Sequence, residues 1–329
     1  MLEAPRQDPS SAAARDAARV DCAVLTVTYN SADDVGLMLD SLHAAADGLS
    51  LRTIVVDNGS TDGTVALVRA RKDVRCVVSE TNLGYAGGIN RARAEAGPCD
   101  ALLIANPDVV LAPGAIAALC AAVREPGVGV AVPMILACDG TLEHSLRREP
   151  SLTQALGDAL LGARLRRRPG WLSEVVWNPS AYAGRHAVEW ATGAAAMVSA
   201  GCDAAVGPWD ERYFLYSEEV DYAARVRRAG FRIEYTPTAR VRHRAGGSGG
   251  SPELVALMAV NRVRYVARRG DGAALFRIVV TLGEILRARD EGHRLAARTL
   301  LRRSTWRSRA PGELLAAASV AGAGGGAAP

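Results

Sequence analysis

Asp108 closes the run Ala101-Leu102-Leu103-Ile104-Ala105-Asn106-Pro107-Asp108, and this setting makes it the first candidate for chemistry. A short, continuous apolar run reads as a strand buried on both faces, as in a parallel sheet. Pro107 has no N–H and holds Asn106 extended, so the strand stops there and leaves a carboxylate at its carboxyl end. In open α/β sheets that edge is where ligands bind, and a carboxylate there suits a hard divalent cation carrying a diphosphate. The bland alternative is a turn aspartate, favoured by turns for local reasons. Two other apolar runs end in polar clusters, Tyr29-Asn30-Ser31 and Asp57-Asn58-Gly59-Ser60, and Asn82 to Asn90 holds Gly84, Gly87 and Gly88 within five positions. Glycines so placed allow close backbone approach or positive φ. Polar clusters on several strand ends are the arrangement of a nucleotide site. Farther on, Glu218-Glu219 opens a helical run. Adjacent carboxylates raise each other's proton affinity, which favours a base; acids that merely complement a helix dipole are the alternative.

The elements that must carry these residues alternate. Strands are expected over 22–28, 53–56, 74–78, the run ending at Asn106, and 128–132. Between them, Val35, Met38, Leu39 and Leu42 fall at helical spacing, as do Ile116, Leu119, Cys120 and Val123 behind Pro113. Strand–helix alternation at this spacing implies a parallel, doubly wound α/β unit. Residues 134–188 differ, with weak periodicity, Trp171, Trp177 and the basic cluster Arg164, Arg166, Arg167, Arg168; they read as an insertion shaping an acceptor pocket. Trp190 to Val198 and Phe231 to Tyr235 read as strands, Val220 to Arg228 as a helix stopped by Gly230, and Val241 to Ser248 as a loop. Residues 251–312 are helical and Arg-rich, with an apolar stripe of Leu275, Ile278, Val279, Leu282, Ile285 and Leu286. The leader, 1–20, and the Ala/Gly tail, 313–329, read as disordered.

Composition narrows the class. The chain has 329 residues, 49% hydrophobic and 22% charged, which supports a packed core. Six scattered Cys with no C-x-x-C pair give neither a disulfide framework nor a zinc site and suit a reducing cytosol. There is no apolar run of spanning length and no apolar signal segment, so the expected location is cytoplasmic, with peripheral attachment at the inner face of the plasma membrane as an option. The net charge of +4 is uneven: thirteen Arg against four acids between Arg262 and Arg309 give +9 there and −5 elsewhere. Such a segment suits an anionic membrane surface; docking of its apolar stripe on the catalytic domain is the alternative. Nucleic acid is disfavoured, since aromatics are only 5% and do not interleave the basic residues.

Six motifs then occur in one order: VTYNS (27–31), VVDNGSTDGT (55–64), NLGYAGGIN (82–90), NPD (106–108), WDERYFLYSEEVDY (209–222) and the late His243. Together they resemble the inverting glycosyltransferases of family 2, and within them the branch using dTDP-L-rhamnose, over about residues 22–250. The resemblance implies a GT-A fold: a mostly parallel nucleotide-sugar domain over 21–250 with a C-terminal helical extension. It implies that Thr28, Tyr29 and Asn30 line the nucleotide pocket and that Asp57 meets the base. Asn82, Gly84, Gly88 and Asn90 approach ribose and diphosphate. Asn106-Pro107-Asp108 takes the place of the D-x-D motif, with Asn for the first Asp. That leaves Asp108 as the main metal carboxylate, His243 as the second ligand, and Mg²⁺ or Mn²⁺ as the cofactor. Glu218-Glu219 matches the family's Glu-Asp pair, whose second member is the base, so Glu219 is assigned, with Glu218 the other choice. Trp190, Gly193 and Asp210 fall on the acceptor side.

The resulting expectation is metal-dependent transfer of a sugar, L-rhamnose favoured, to a hydroxyl of a glycan, lipid-linked or secondary-metabolite acceptor, in cell-wall or polysaccharide biosynthesis. A UDP- or GDP-sugar donor is an alternative. A non-catalytic nucleotide-sugar or membrane-surface binding protein is another, against which the intact Asp108, His243 and glutamate pair argue.

Overall fold

The computed structural model describes residues 18–162, 168–244, 251–270 and 272–302. The expectations for most of the leader, for Arg164, Arg166 and Arg167, for Gly246-Gly247 and for the tail lie outside the described residues. The chain runs β1 (Val20–Thr28), α1 (Val35–Ala46), β2 (Leu51–Asp57), α2 (Thr64–Arg69), β3 (Val74–Val78), α3 (Gly84–Ala94), β4 (Cys99–Ala105), β5 (Val109–Leu111), α4 (Ala115–Val123) and β6 (Val128–Leu136). It continues through β7 (Leu146–Arg147), α5 (Leu152–Leu161), β8 (His186–Val188), β9 (Trp190–Ala191), β10 (Ala195–Ser199), α6 (Ala200–Val206), α7 (Glu218–Arg228) and β11 (Arg232–His243). Three helices follow, α8 (Pro252–Arg269), α9 (Ala273–Leu286) and α10 (Glu291–Leu301).

The central sheet has the order β3-β2-β1-β4-β10-β6-β11-β5, with β8 beside β11. Its central strands β1, β4 and β10 are largely apolar because both faces are covered, and the period of two sends alternate residues to opposite layers. Cys22 and Val24 of β1, Val55 of β2, and Ala101 and Leu103 of β4 meet Met38 and Leu42 of α1 and Ile116 and Leu119 of α4. Ala23, Leu25, Val27, Ile54, Leu102 and Ile104 meet Ala86 and Ile89 of α3 and Tyr222 and Val226 of α7. The layered α/β architecture follows from this alternation.

The sheet departs from simple parallel winding in its middle. β1, β2, β3 and β4 are parallel, but β10 lies antiparallel to both β4 and β6. A strand of this length carries no mark of its direction, so the sequence could not show the inversion. The expected run Trp190–Val198 is two strands in two sheets, β9 pairing with β7 and β10 entering the main sheet. The loop expected from Val241 begins later: β11 continues to His243, which pairs with Val109 of β5. Backbone pairing rather than a flexible loop therefore fixes this histidine.

The helical extension docks on the domain. Ser251 caps α8 by accepting from Leu254 N, and Pro252 occupies the first turn. Ala256, Val260 and Val263 of α8 meet Val220 and Ala224 of α7, Phe276 of α9 and Ala296 of α10. Polar contacts surround this seam. Arg262 pairs with Asp158 (2.8 Å) and Glu174, Arg269 pairs with Glu149 (2.7 Å), and Arg268 pairs with Asp210. These three arginines thus face the protein's own acids rather than an external anionic surface. Of the expected apolar stripe on α9, only Val279 is buried, beside Phe276 and Val280; Leu275, Ile278, Leu282, Ile285 and Leu286 are exposed. The helix is apolar on two faces, and one of them has no covering element among the described residues.

Candidate active site

Strand ends β1, β2 and β4 bring the first group of residues to one edge. Asp57 is fully buried there. Its Oδ1 accepts from Gly59 N (3.1 Å) and Ser60 N (2.8 Å), and its Oδ2 from Thr28 Oγ1 (2.9 Å) and Ser60 Oγ (2.5 Å). Four donors fill the carboxylate's acceptor positions, so Asp57 shapes the turn that would face a base while its own oxygens are taken. Asn30 ties the two loops together: its N–H donates to Ser60 Oγ and its Oδ1 accepts from Thr61 N (2.8 and 2.9 Å). Tyr29, 52% exposed, offers an aromatic face at the same edge.

The glycine-rich run opens α3. Asn82 Oδ1 accepts from Gly84 N (2.9 Å), and Gly84, at φ +73°, lies so close to Phe214 that a Cβ would stand 2.5 Å from its carbonyl oxygen. Gly88 and Asn90 were expected at the ribose and diphosphate, but their surroundings are internal. A Cβ at Gly88 would stand 2.6 Å from Val27, so this glycine seats α3 on β1. Asn90 donates to the Trp209 carbonyl and Glu211 and accepts from Trp209 N, clipping α3 to the loop before α7.

Asp108 and His243 meet where β4 ends and β11 finishes. His243 Nε2 lies 3.3 Å from Asp108 Oδ2, and its Nδ1 lies 3.3 Å from Glu143 Oε2. The hydrogen bond to Asp108, with help from Glu143, holds the imidazole's proton affinity above its ordinary value despite burial. Asp108 Oδ1 is buried with no hydrogen-bond partner. Such an orphaned oxygen is costly unless something fills its place. One carboxylate oxygen and one imidazole nitrogen at the edge suit a divalent cation whose other positions go to phosphate oxygens and water. No group of three or more His, Cys, Asp or Glu side chains placed to hold a metal ion occurs among the described residues.

The first turn of α7 carries Glu218 and Glu219. Glu219 Oε1 accepts from Gly193 N at 2.8 Å, and a Cβ on Gly193 would stand 2.1 Å from that oxygen. Only glycine therefore admits the carboxylate. Burial pushes Glu219 up to about 7, against the Gly193 N–H and the Arg147 charge, which favour its ionised form. Glu218 is 1% exposed, its Oε2 has no partner, and burial beside Glu219 raises it well above the carboxylate range. The two adjacent carboxylates thus sit in different surroundings, Glu219 on the Gly193 N–H and Glu218 with one oxygen unpartnered.

Tyr85 joins the two halves of the site. Its hydroxyl donates to Asn106 Oδ1 (2.8 Å) and lies 3.2 Å from the Gly193 carbonyl. Burial, then Glu219, Glu218 and Asp108, raise its phenol well above the ordinary value, so it stays a donor. Tyr85, Arg147 and Glu143 are site residues missed at the sequence level. Tyr85 stood inside the NLGYAGGIN motif, whereas Arg147 and Glu143 sit in the segment with no readable motif. On the acceptor side, Trp190 pairs with Arg147 across β9 and β7 and donates Nε1–H to the Arg148 carbonyl (2.8 Å). Asp210 is engaged elsewhere. Against its burial, Arg212 and Arg268 pull its carboxyl down to about 2, and it ties its loop to α8.

A mostly parallel sheet with Asp108 and His243 meeting at one strand end, and Glu219 linked to that end through Gly193 and Tyr85, belongs to a glycosyltransferase of GT-A fold. The fold is shared with a mannosyltransferase from Pyrobaculum calidifontis solved with GDP-Man and Mn²⁺, at a TM-score of 0.51 and 18% identity over 94% of this chain and 81% of that one. It is also shared with GalNAc-T7 solved with UDP, GalNAc and Mn²⁺, at 0.54 and 14% over 75% and 48%. The chain belongs to glycosyl transferase family 2, whose model matches residues 23–174, and is a hexosyltransferase of the inverting kind. An N-acetylglucosaminyl-diphospho-decaprenol L-rhamnosyltransferase of Mycobacterium tuberculosis is 34% identical over 258 residues, 74% of this chain and 82% of that protein. A low-salt glycan biosynthesis hexosyltransferase of Haloferax volcanii is 24% identical over 219 residues, 65% and 64%.

Proposed function

We propose that this enzyme moves L-rhamnose from dTDP-L-rhamnose to a hydroxyl of a lipid-linked, N-acetylglucosamine-bearing acceptor, with inversion. The observation that carries the reading is the placement of Glu219 on the Gly193 N–H, with Tyr85 linking it to the strand end that holds Asp108. Asp108 and His243 would hold Mg²⁺ or Mn²⁺, which supplies charge neutralisation for the departing nucleoside diphosphate; Mn²⁺ in both fold neighbours supports this. Tyr29 would cover the base, and the loop organised by Asp57 and Asn30 would shape its pocket. Glu219 would take the acceptor proton as its oxygen attacks the face opposite the leaving group. Arg147, beside Glu219 and opposite Trp190, lies on the acceptor side. The rhamnosyl donor and the lipid-linked acceptor are supported by the 34% identical relative, which covers most of both chains.

The test is transfer to a short-chain polyprenyl-diphosphate N-acetylglucosamine from dTDP-L-rhamnose, UDP-sugars and GDP-sugars, each with Mn²⁺ and with a chelator. Metal-dependent transfer from dTDP-L-rhamnose alone, lost in Asp108→Ala with folding retained, is the expected result. Transfer only from a UDP- or GDP-sugar removes the rhamnosyl assignment, and full activity in chelator removes the metal.

The exposed aliphatic face of α9 favours a location on a membrane surface. Leu275, Ile278, Leu282, Ile285 and Leu286 are 45–67% exposed along one face. No described helix is long and apolar enough to cross a membrane, so contact would be interfacial.

A further inference from the structure

We infer that Asn261, in α8 of the C-terminal extension, is a positioning residue for the catalytic carboxylate. The inference rests on Glu219 as the base. The segment leading into α7 has an unusual course: Phe214, Tyr216 and Ser217 have φ of 64°, 68° and 70°. Three side-chain-bearing residues in the left-handed region within four positions persist only where their surroundings over-determine them. Ser217 immediately precedes Glu218 and Glu219, so the course of this segment sets where the first turn of α7 begins.

Asn261 supplies that constraint. It is fully buried. Its Nδ2 donates to the carbonyls of Tyr213 (2.7 Å) and Leu215 (2.8 Å) and lies 3.2 Å from that of Tyr216. Its Oδ1 accepts from Arg264 Nη1 at 3.0 Å, which fixes which end of the amide faces the loop. The left-handed residues turn three carbonyls toward one point, and two amide hydrogens meet them there. The remaining carbonyl, Phe214 O, points the other way and accepts from Tyr85 N at 2.6 Å, at the start of α3. The loop is therefore held from both sides, by the extension through Asn261 and by the donor-side helix through Tyr85. Without the Asn261 donor, the partly buried carbonyls of Leu215 and Tyr216 would lose this amide and stand together, and Tyr213 O would keep only Leu215 N (2.7 Å). The loop would relax, and Glu219 would leave the Gly193 N–H. Asn261 itself touches neither Glu219 nor the cation seat, so its effect passes through backbone geometry alone.

The test uses the full chain with Asn261→Leu, which keeps the size and removes the donor, and Arg264→Met, which frees the amide to flip while keeping Asn261. Active sites are counted by dTDP binding in the presence of Mn²⁺, so kcat is expressed per folded donor site. Asn261→Leu is expected to lower kcat about a hundredfold, the scale of a misplacement near 1 Å, with the donor KM nearly unchanged. Its acid limb should move to higher pH, because Glu219 loses the Gly193 N–H while Arg147, Tyr85 and Glu218 still surround it. Arg264→Met should shift both readouts in the same direction by less. Should Asn261→Leu fail to fold, Arg264→Met alone carries the decision. A variant with parental kcat per donor site and an unmoved pH profile overturns the inference. Glu219→Gln separates the premise: if that enzyme keeps parental activity, the assignment of the base fails rather than the role of Asn261.

Discussion

A carboxyl group with a pKa near 7 is about half ionised at neutral pH and combines availability with basicity, and Glu219 is held in that state by burial against a single N–H and one arginine. The ionised form is the base, so kcat/KM should fall as pH drops through about 7. Glu219→Gln should lower kcat by about 10²–10⁴-fold, the usual contribution of a general base. Glu218→Gln should stay near parental activity. It should also raise Tm at alkaline pH: a carboxyl whose folded pKa is raised loses stability as pH climbs above its unfolded value, and the amide removes that loss. A Glu218→Gln enzyme as inactive as Glu219→Gln would reverse the assignment. Asp108, His243 and Glu219 stood out in the sequence because each occupies a motif position at the boundary of an element, and the structure places each at such a boundary. Gly88, Asn90 and Asp210 were legible as special but not as what they are. Their partners, Val27, Trp209 and Arg268, lie 58 to 119 residues away or across a layer, and a linear pattern does not show which neighbour a glycine admits.

Elements with both faces buried were the most readable, because continuous apolar runs and helical spacing leave few alternatives. The first strands and helices fall where expected. α5 and α6 were not foreseen: each is short, and α5 has only Gln154, Ala155 and Gly157 buried. The extension was readable as helices but not in its docking, since its arginines find acids scattered between Glu149 and Asp210. Glu149 is the clearest of these. It accepts from Arg227 (2.5 Å), Arg269 (2.7 Å) and Tyr265 Oη (2.5 Å), and its side chain is 19% exposed. Glu149→Ala would remove a carboxylate shared by two partly exposed arginines and Tyr265 and should destabilise the fold by about 1.5 kcal/mol, the scale of a hydrogen bond to a charged group. Urea unfolding read by circular dichroism measures this; a loss under about 0.5 kcal/mol, the scale of an ordinary surface change, would mean that the docking does not depend on it.

For the whole molecule, the charge asymmetry suggested electrostatic attachment, and the structure redistributes it. Arg262, Arg268 and Arg269 are spent on internal carboxylates, while α9 turns five aliphatic side chains outward. Attachment by inserted aliphatics differs from attachment by charge in its response to salt, because exposed ion pairing is screened and apolar burial is not. The protein should therefore co-sediment with phosphatidylcholine vesicles and stay bound at 0.5 M NaCl. Ile278→Glu/Leu282→Glu should release it while leaving transfer to a soluble acceptor intact. Binding only to anionic vesicles, and only at low salt, would return the role to the arginines. Loss of a dimer in that variant would point to a second copy as the occupant of the face.

The antiparallel β10 has a consequence for how this enzyme could be recombined with its relatives. The family match spans residues 23–174, yet the strand between β4 and β6, in the middle of the sheet, is supplied by residues 195–199. A chimera joined at the end of the matched region would carry a donor half with a gap at its centre. It would have to accept a foreign strand into two ladders at once, with Gly193 and its notch for Glu219 arriving on the same graft. Donor and acceptor preference are thus not exchangeable cassettes here. The segment between β6 and β8 is the portion that could be swapped without opening the main sheet, provided the graft retains Arg147.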